Sequence, residues 1–235
     1  MKLQPAPGCV AGVGSRTVPE WALELMIRLG RTLTDLGYQL SSGDAYDSDR
    51  AFLYGAVQSK RYSEVGARVY LHKNGCNDRW VKDWPNYYDA STFDPITLTT
   101  AKSMACLARG SFYGLYPNGI MLHTRNVFQI WGEGIDSLVC ALFYYAVPKG
   151  KREREYVEGG TNTALRLSVD ANVPVRMNLY FADVVKDVEE WLTEHESDDP
   201  YLEIDWHQIH DPNDPRLKEI EDEPVEQSFD LAWDS

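Results

Sequence analysis

The chain has 235 residues, of which 36 are acidic and 23 basic, for a formal net charge of −13. At 43% hydrophobic, 25% charged and 12% aromatic residues it has the composition of an ordinary folded protein, long enough for one large domain with a full core. No apolar run approaches the ~20 residues that span a bilayer, the start Met1-Lys2-Leu3-Gln4-Pro5 carries no export signal, and the acidic total argues against a plain nucleic-acid binder.

The charge is unevenly spread. Residues 196–235 hold 14 acids against two bases, Arg216 and Lys218, a net of −12, which leaves residues 1–195 at −1. The argument against nucleic acid therefore applies to a C-terminal extension, because the body is nearly neutral. The extension also carries Tyr201, Leu202, Ile204, Trp206, Ile209, Phe229 and Trp233, too apolar for a solvated spacer. Parts of it are expected to dock on the body or on a neighbouring subunit, over basic loops. His207 and His210, with Asp205 and Asp211 beside them, have the chemistry of a metal set. Histidines in an acidic, proline-punctuated stretch are more often solvated, so no metal is assigned. The four cysteines, at 9, 76, 106 and 140, form no Cys-x-x-Cys pair, and a reducing cytoplasm is the simplest expectation.

Along the chain, the apolar run from Cys9 to Val13 predicts a buried strand. Pro19-Glu20 then opens a helix carrying Trp21, Leu25, Leu29, Leu33 and Leu36 at helical spacing, and Gly37 stops it. Strands are expected at 38–41 and 67–71, with a helix over 47–60 between them. From 72 to 95 the pattern is lost although Trp80, Trp84, Tyr87, Tyr88 and Phe93 lie there. A segment this long without periodicity is either a binding loop or an insertion packing its aromatics on the body. Helices are expected at 97–109, 119–130, 161–171 and 182–194, a central strand at 136–147, a charged loop at 149–155 and a strand at 174–179. Strands alternating with helices predict a Rossmann-like α/β fold, a parallel sheet with helices on both faces. The expected organisation is one domain over residues 1–195, with the aromatic insertion at 72–95, followed by the acidic C-terminal extension at 196–235.

In such sheets ligands bind outside the carboxyl ends of strands, and three polar glycine-bearing segments fall there. They are Gly12-Val13-Gly14-Ser15-Arg16, the stretch from Ser41 through Ser42, Gly43 and Asp44 to Asp49, and Gly159-Gly160-Thr161-Asn162-Thr163. Glycine allows close backbone approach and a helix start attracts anions. One such segment is commonly only a turn; three at matching positions point to a phosphate-containing ligand. The three-glycine dinucleotide fingerprint is absent, which disfavours an ordinary NAD-dependent dehydrogenase.

The order of these segments, from Val10 to Arg16 and Pro19, then Ser41 to Phe52, then Gly159 to Ala164 and Val173-Pro174-Val175, resembles the SLOG superfamily. That group, common in bacteria and bacteriophages, includes the Lonely Guy phosphoribohydrolases, the DNA-processing protein A family and nucleotide-signal sensor domains. The resemblance spans roughly residues 9–181. Leu122-His123-Thr124-Arg125-Asn126 is similar to the Met-His-x-Arg-Lys helix motif of the Lonely Guy enzymes, which implies a ligand-contacting Arg125 and replaces the lysine by Asn126. The phosphoribohydrolase motif Pro-Gly-Gly-x-Gly-Thr-x-x-Glu falls on Glu158 to Arg166. Gly159, Gly160 and Thr163 survive; Asn162 replaces the middle glycine and Arg166 the catalytic glutamate. An arginine cannot stabilise oxocarbenium-like charge or activate water as a carboxylate does, so a hydrolase would need another acid, with Asp44, Asp47 and Glu133 as candidates.

The resulting expectation is a protein that binds a nucleotide or nucleotide-derived ligand, a sensor or sequestering protein. Gly14, Ser15, Arg16, Ser42, Gly43, Asp44, Arg125, Gly159, Gly160, Thr161, Asn162 and Thr163 form its site. The alternatives are a hydrolase or (deoxy)ribosyltransferase acting at a nucleotide N-glycosidic bond, and a single-stranded DNA-binding protein of the DNA-processing protein A type. The last would draw on the basic run Lys149, Lys151, Arg152 and Arg154. Asp47 and Asp49 could hold magnesium beside a phosphate, but a helix start favours acids in any case, and no cofactor is indicated. The resemblance further implies a homo-oligomer; the lack of a long apolar run leads us to expect no membrane partner, and the cysteine pattern a place in the cytoplasm, the host cytoplasm for a phage-encoded chain.

Overall fold

The computed structural model describes residues 1–5, 8–152 and 154–217; the rest of the acidic extension, with Phe229 and Trp233, lies outside the described residues. Six strands form one parallel sheet: β1 (Gly8–Gly14), β2 (Tyr38–Ser42), β3 (Ala67–Leu71), β4 (Tyr87–Asp89), β5 (Ala141–Tyr145) and β6 (Val175–Asn178). Their order is β4-β3-β2-β1-β5-β6. The helices are α1 (Glu20–Asp35), α2 (Ser48–Val57), the single turn α3 (Tyr62–Val65), α4 (Pro95–Arg109), α5 (Pro117–Trp131), α6 (Thr161–Asp170) and α7 (Ala182–His195). Among the described residues no helix is long and apolar enough to cross a membrane.

The sheet is covered on both faces, as a parallel sheet requires. Val10, Leu40, Val69, Phe143 and Tyr145 face α1, α2 and α7, while Ala11, Val13, Tyr70, Leu142 and Tyr144 face α4, α5 and α6. Neighbouring strand residues alternate between the two layers with the period-two geometry of a strand. Glycines bring α1 and α2 together: a Cβ on Gly30 would overlap the Phe52 carbonyl oxygen, and one on Gly55 that of Ile27.

The elements depart from the sequence reading in three places. The strand expected over 136–147 is only Ala141–Tyr145, because residues 136–140 lead in from the end of α5. The helix expected from 97 begins at Pro95, where Asp94 caps it by accepting from Ile96 N at 3.2 Å and Thr97 N at 2.8 Å. The aromatic segment 72–95 is no structureless loop: it supplies the edge strand β4, paired to β3, and seats Phe93 edge-on to Phe128 with ring centres 4.8 Å apart.

Residues 196–217 pack on the body over α1 and α2; among the described residues no hydrogen bond or ion pair joins them to the basic run that begins at Lys149. The Arg28 guanidinium joins Glu189 of α7 and Glu196, each at 2.8 Å. Arg31 lies over the Tyr201 ring and donates to the carbonyls of Asp199 and Pro200, and Ile209 is completely buried in the α1/α2 layer.

Candidate functional site

β1 and β5 are neighbours in the sheet, but β1 leads into α1 on one face and β5 into α6 on the other. Their carboxyl ends therefore form the topological switch point where open α/β sheets leave a crevice. A cavity of about 550 Å³ opens there, within the range of small-ligand sites. Five segments wall it: the β1 exit from Val13 to Arg16, the β2–α2 side with Ala45 and Asp49, the α5 face, the start of α6 with Glu158, Gly159, Gly160, Thr161 and Ala164, and the β5 exit with Ala146 and Val147. The β1 and β5 exits are tied together by Ser15 N donating to Tyr145 O at 2.9 Å. Asn178 of β6 fixes the β5 exit by exchanging both amide bonds with Ala146.

Of the residues expected to bind a ligand, Gly14, Ser15, Arg16, Arg125, Gly159, Gly160 and Thr161 line the cavity. The others stand behind it. Ser42 Oγ donates to Gly12 O at 2.7 Å, Asn162 Oδ1 accepts from Val157 N at 3.1 Å, and Thr163 Oγ1 is 2.8 Å from His123 Nδ1. A Cβ on Gly43 would overlap Arg125 Nη1, so glycine there makes room for the guanidinium, which donates to Gly43 O at 2.6 Å.

The three candidate acids are placed elsewhere. Asp44 is buried under cations, with Arg50 Nη2 at 3.2 Å, Arg79 Nε at 3.6 Å and the Tyr87 hydroxyl donating at 3.1 Å. Burial and the Asp44 charge push the Tyr87 phenol well above its usual range. Asp47 accepts from Val18 N at 3.0 Å and Arg216 Nη2 at 2.9 Å, and its other oxygen is 2.8 Å from His210 Nδ1. Glu133 is exposed just beyond α5, at the amino ends of the strands and so at the opposite end of the sheet from the cavity. Asp47, His210 and Asp214 have ligand atoms within 4.8 Å of one another. The Arg216 guanidinium bridges both carboxylates, so a cation already occupies that cluster. His207 is exposed while His210 is buried.

Two carboxyl side chains line the cavity, the exposed Glu158 and Asp49, which is only 2% exposed. Burial raises its pKa, with Arg125, 3.6 Å away, acting in the opposite direction. Burial likewise works against the Arg125 charge, and Asp49 supports it. His123, also in the wall, is held to about 4 by burial and by the charges of Arg109 and Arg125, so it is neutral at pH 7. Leu122, Asn126 and Gln129 complete the α5 face. The sequence reading names Asp49 only as a possible magnesium holder, and it does not name His123, Asn126 or Gln129 as ligand residues. The signal for the α5 set was present: once Arg125 faces a ligand, positions 122, 126 and 129 share its side of the helix.

The fourth wall is the start of α6, where Gly159, Gly160 and Thr161 line the cavity. Among the described residues, the N–H groups of Gly160 and Thr161 have no protein acceptor, the condition in which a helix start attracts an anion. Arg16 is exposed at the mouth. The basic run is partly neutralised, since Arg152 pairs with Glu155 and Arg154 with Asp183. Arg166 turns away to Asp170 and the Tyr156 ring.

Fold and cavity together define the chain as a Rossmann-like α/β protein with a pocket at the switch point of its sheet. No protein-family model, curated protein or solved structure matches it.

Proposed function

We propose that the protein binds a nucleotide or nucleotide-derived small molecule in the switch-point cavity, with the phosphate at the start of α6 and Arg16 beside it. Gly160 carries the reading. Its φ of −68° is ordinary helical backbone, and an added Cβ would meet nothing within 4 Å. Neither a positive φ nor packing requires glycine there beyond its modest preference at a helix start, whereas a phosphate lying on the helix start would. The likeness of the three glycine segments to the SLOG superfamily supports the same reading.

Titration calorimetry against nucleoside mono- and diphosphates and ADP-ribose-type compounds tests it. A dissociation constant in the micromolar range, weakened about tenfold by Arg16→Glu, is the expected result; no binding below millimolar for any of them would sink it.

A second reading, chemistry at an N-glycosidic bond, is favoured by Asp49, whose pKa burial raises and which lies in the cavity wall where Asp44, Asp47 and Glu133 do not. Base release from nucleoside monophosphates that is lost in Asp49→Asn would support it; release unaffected by that change would exclude Asp49 as the acid. Self-association belongs to the same family-based reading, and sedimentation velocity of the full chain reads it directly.

A further inference from the structure

The β2–α2 loop, from Gly43 to the start of α2, contributes Ala45 and Asp49 to the cavity wall. Two of its residues are in backbone that side chains rarely adopt: Asp44 with φ of +56° and Asp47 with φ of +62° and ψ of −103°. Aspartate enters positive φ more readily than most residues, but the ψ of Asp47 lies outside the left-handed helical well, and that conformation persists only where the surroundings over-determine it. Each aspartate is held by a different segment remote from it in sequence. Asp44 is gripped by Arg79 and Tyr87 of the aromatic insertion, and Asn77 Nδ2 donates to its carbonyl at 2.9 Å. Asp47 is gripped by the C-terminal extension, through His210, Arg216 and a backbone bond from Asp47 N to Ile209 O at 2.9 Å. His210 is itself fully buried and stacked on Trp206, with ring centres 5.2 Å apart and planes within 9°. Arg50 links the two grips, bonding Asp44 and the Gln208 carbonyl.

We propose that the insertion and residues 206–217 act as a two-sided clamp that positions the β2–α2 loop, so that the extension completes the ligand site through Asp47, His210 and Arg216 without touching the ligand. The idea rests on the reading of the cavity as a ligand site, but the clamp itself can be measured without any ligand. These are positioning residues: none of the three lines the cavity.

The first test is hydrogen exchange on the full-length chain. Arg216→Ala is expected to raise exchange at residues 44–50 about tenfold or more and to leave residues 159–163 unchanged. The second is affinity for the tightest-binding nucleoside phosphate. Arg216→Ala should weaken it about tenfold, and Asp47→Gly added to that variant should bring it back within about threefold, because glycine holds a positive φ without help. The melting temperature should not recover, since Asp47→Gly removes the remaining bonds. Recovered affinity without recovered stability separates positioning from a merely structural role.

If Arg216→Ala does not fold, Arg216→Lys keeps the charge but cannot bridge Asp47 and Asp214 with one planar fork, and the same comparison applies. Unchanged exchange at 44–50, or lost affinity that Asp47→Gly fails to restore, would overturn the clamp. A wild type that binds no nucleotide would overturn the functional reading, and the exchange experiment would still decide the clamp.

Discussion

On one side of the cavity the β2–α2 loop bends two aspartates into left-handed backbone and buries both; on the other, α6 starts on two glycines with open space above them. The first wall is over-determined: Asp44 and Asp47 together engage Arg50, Arg79, Tyr87, His210, Arg216 and the Val18 amide. The second is under-determined, with N–H groups and a glycine that the protein itself does not use. A ligand site needs both kinds of wall. Preorganised polar groups must hold their places without a ligand, and unspent donors must face the space the ligand takes. If this division is right, substitutions in the first wall should act mainly on stability, and substitutions in the second mainly on binding.

The largest stability effect is expected at Asp44. Asp44→Ala would leave Arg50 buried and Arg79 three-quarters buried without their carboxylate, and removing one partner of such a pair typically costs about 3 to 5 kcal/mol. Urea unfolding of wild type and variant reads it; a loss under about 1 kcal/mol would mean that the first wall is not over-determined. Gly43→Ala comes next. The added methyl must displace Arg125 Nη1 or the Gln129 amide, an overpacking that costs roughly 1 to 3 kcal/mol. It should also disturb Arg125 and so weaken nucleotide binding, making Gly43 the one position expected to move both readouts. A Gly43→Ala variant with wild-type melting and wild-type affinity would contradict the geometry.

The two walls also differ in how far they could be read from sequence. The alternation of strands with helices was legible because each element buries a periodic face, and so were the glycine turns at the carboxyl ends. What sequence could not supply was the partner of each polar side chain. Asp44, Asp47 and Asp49 share one segment and look equivalent, yet they face Arg79 and Tyr87, His210 and Arg216, and the cavity respectively. Those partners lie far along the chain, in the insertion and the extension, which have no periodicity to announce their path. The apolar residues of the extension pointed to docking, and Ile209 and His210, both fully buried, make part of it a structural element; which residues it would meet was not legible.

The next effect is on pH dependence, and it divides the α5 face from the rest. His123 is held to about 4 in the folded chain, against its ordinary 6.5. The unfolded chain therefore takes up the proton first as pH falls. The stability that neutral His123 contributes is complete above about pH 6.5 and is lost progressively as pH drops towards 4. With the ring partly exposed, the contribution is roughly 1 to 2 kcal/mol after discounting for solvent. His72 is lowered to about 4 as well, so His123→Gln should flatten the loss between pH 6.5 and 4 without abolishing it. Urea midpoints that follow parallel pH courses in the two proteins would assign the lowered pKa no role in stability.

The smallest stability effect is expected where the binding effect is largest. Alanine at position 160 keeps the helical φ of −68° and meets no neighbour within 4 Å. It gives up only glycine's modest advantage at a helix start, so its unfolding free energy should stay within about 0.5 kcal/mol of wild type. In the ligand's presence the same methyl stands where a phosphate would approach the Gly160 and Thr161 N–H groups, and nucleotide affinity should fall by about tenfold or more. The pairing of these two readouts is what sharpens the contrast with Asp44. A glycine kept for folding would show the reverse, a destabilised protein with intact affinity. A glycine kept for nothing would show neither, and the α6 start would then have no claim to be the anion wall.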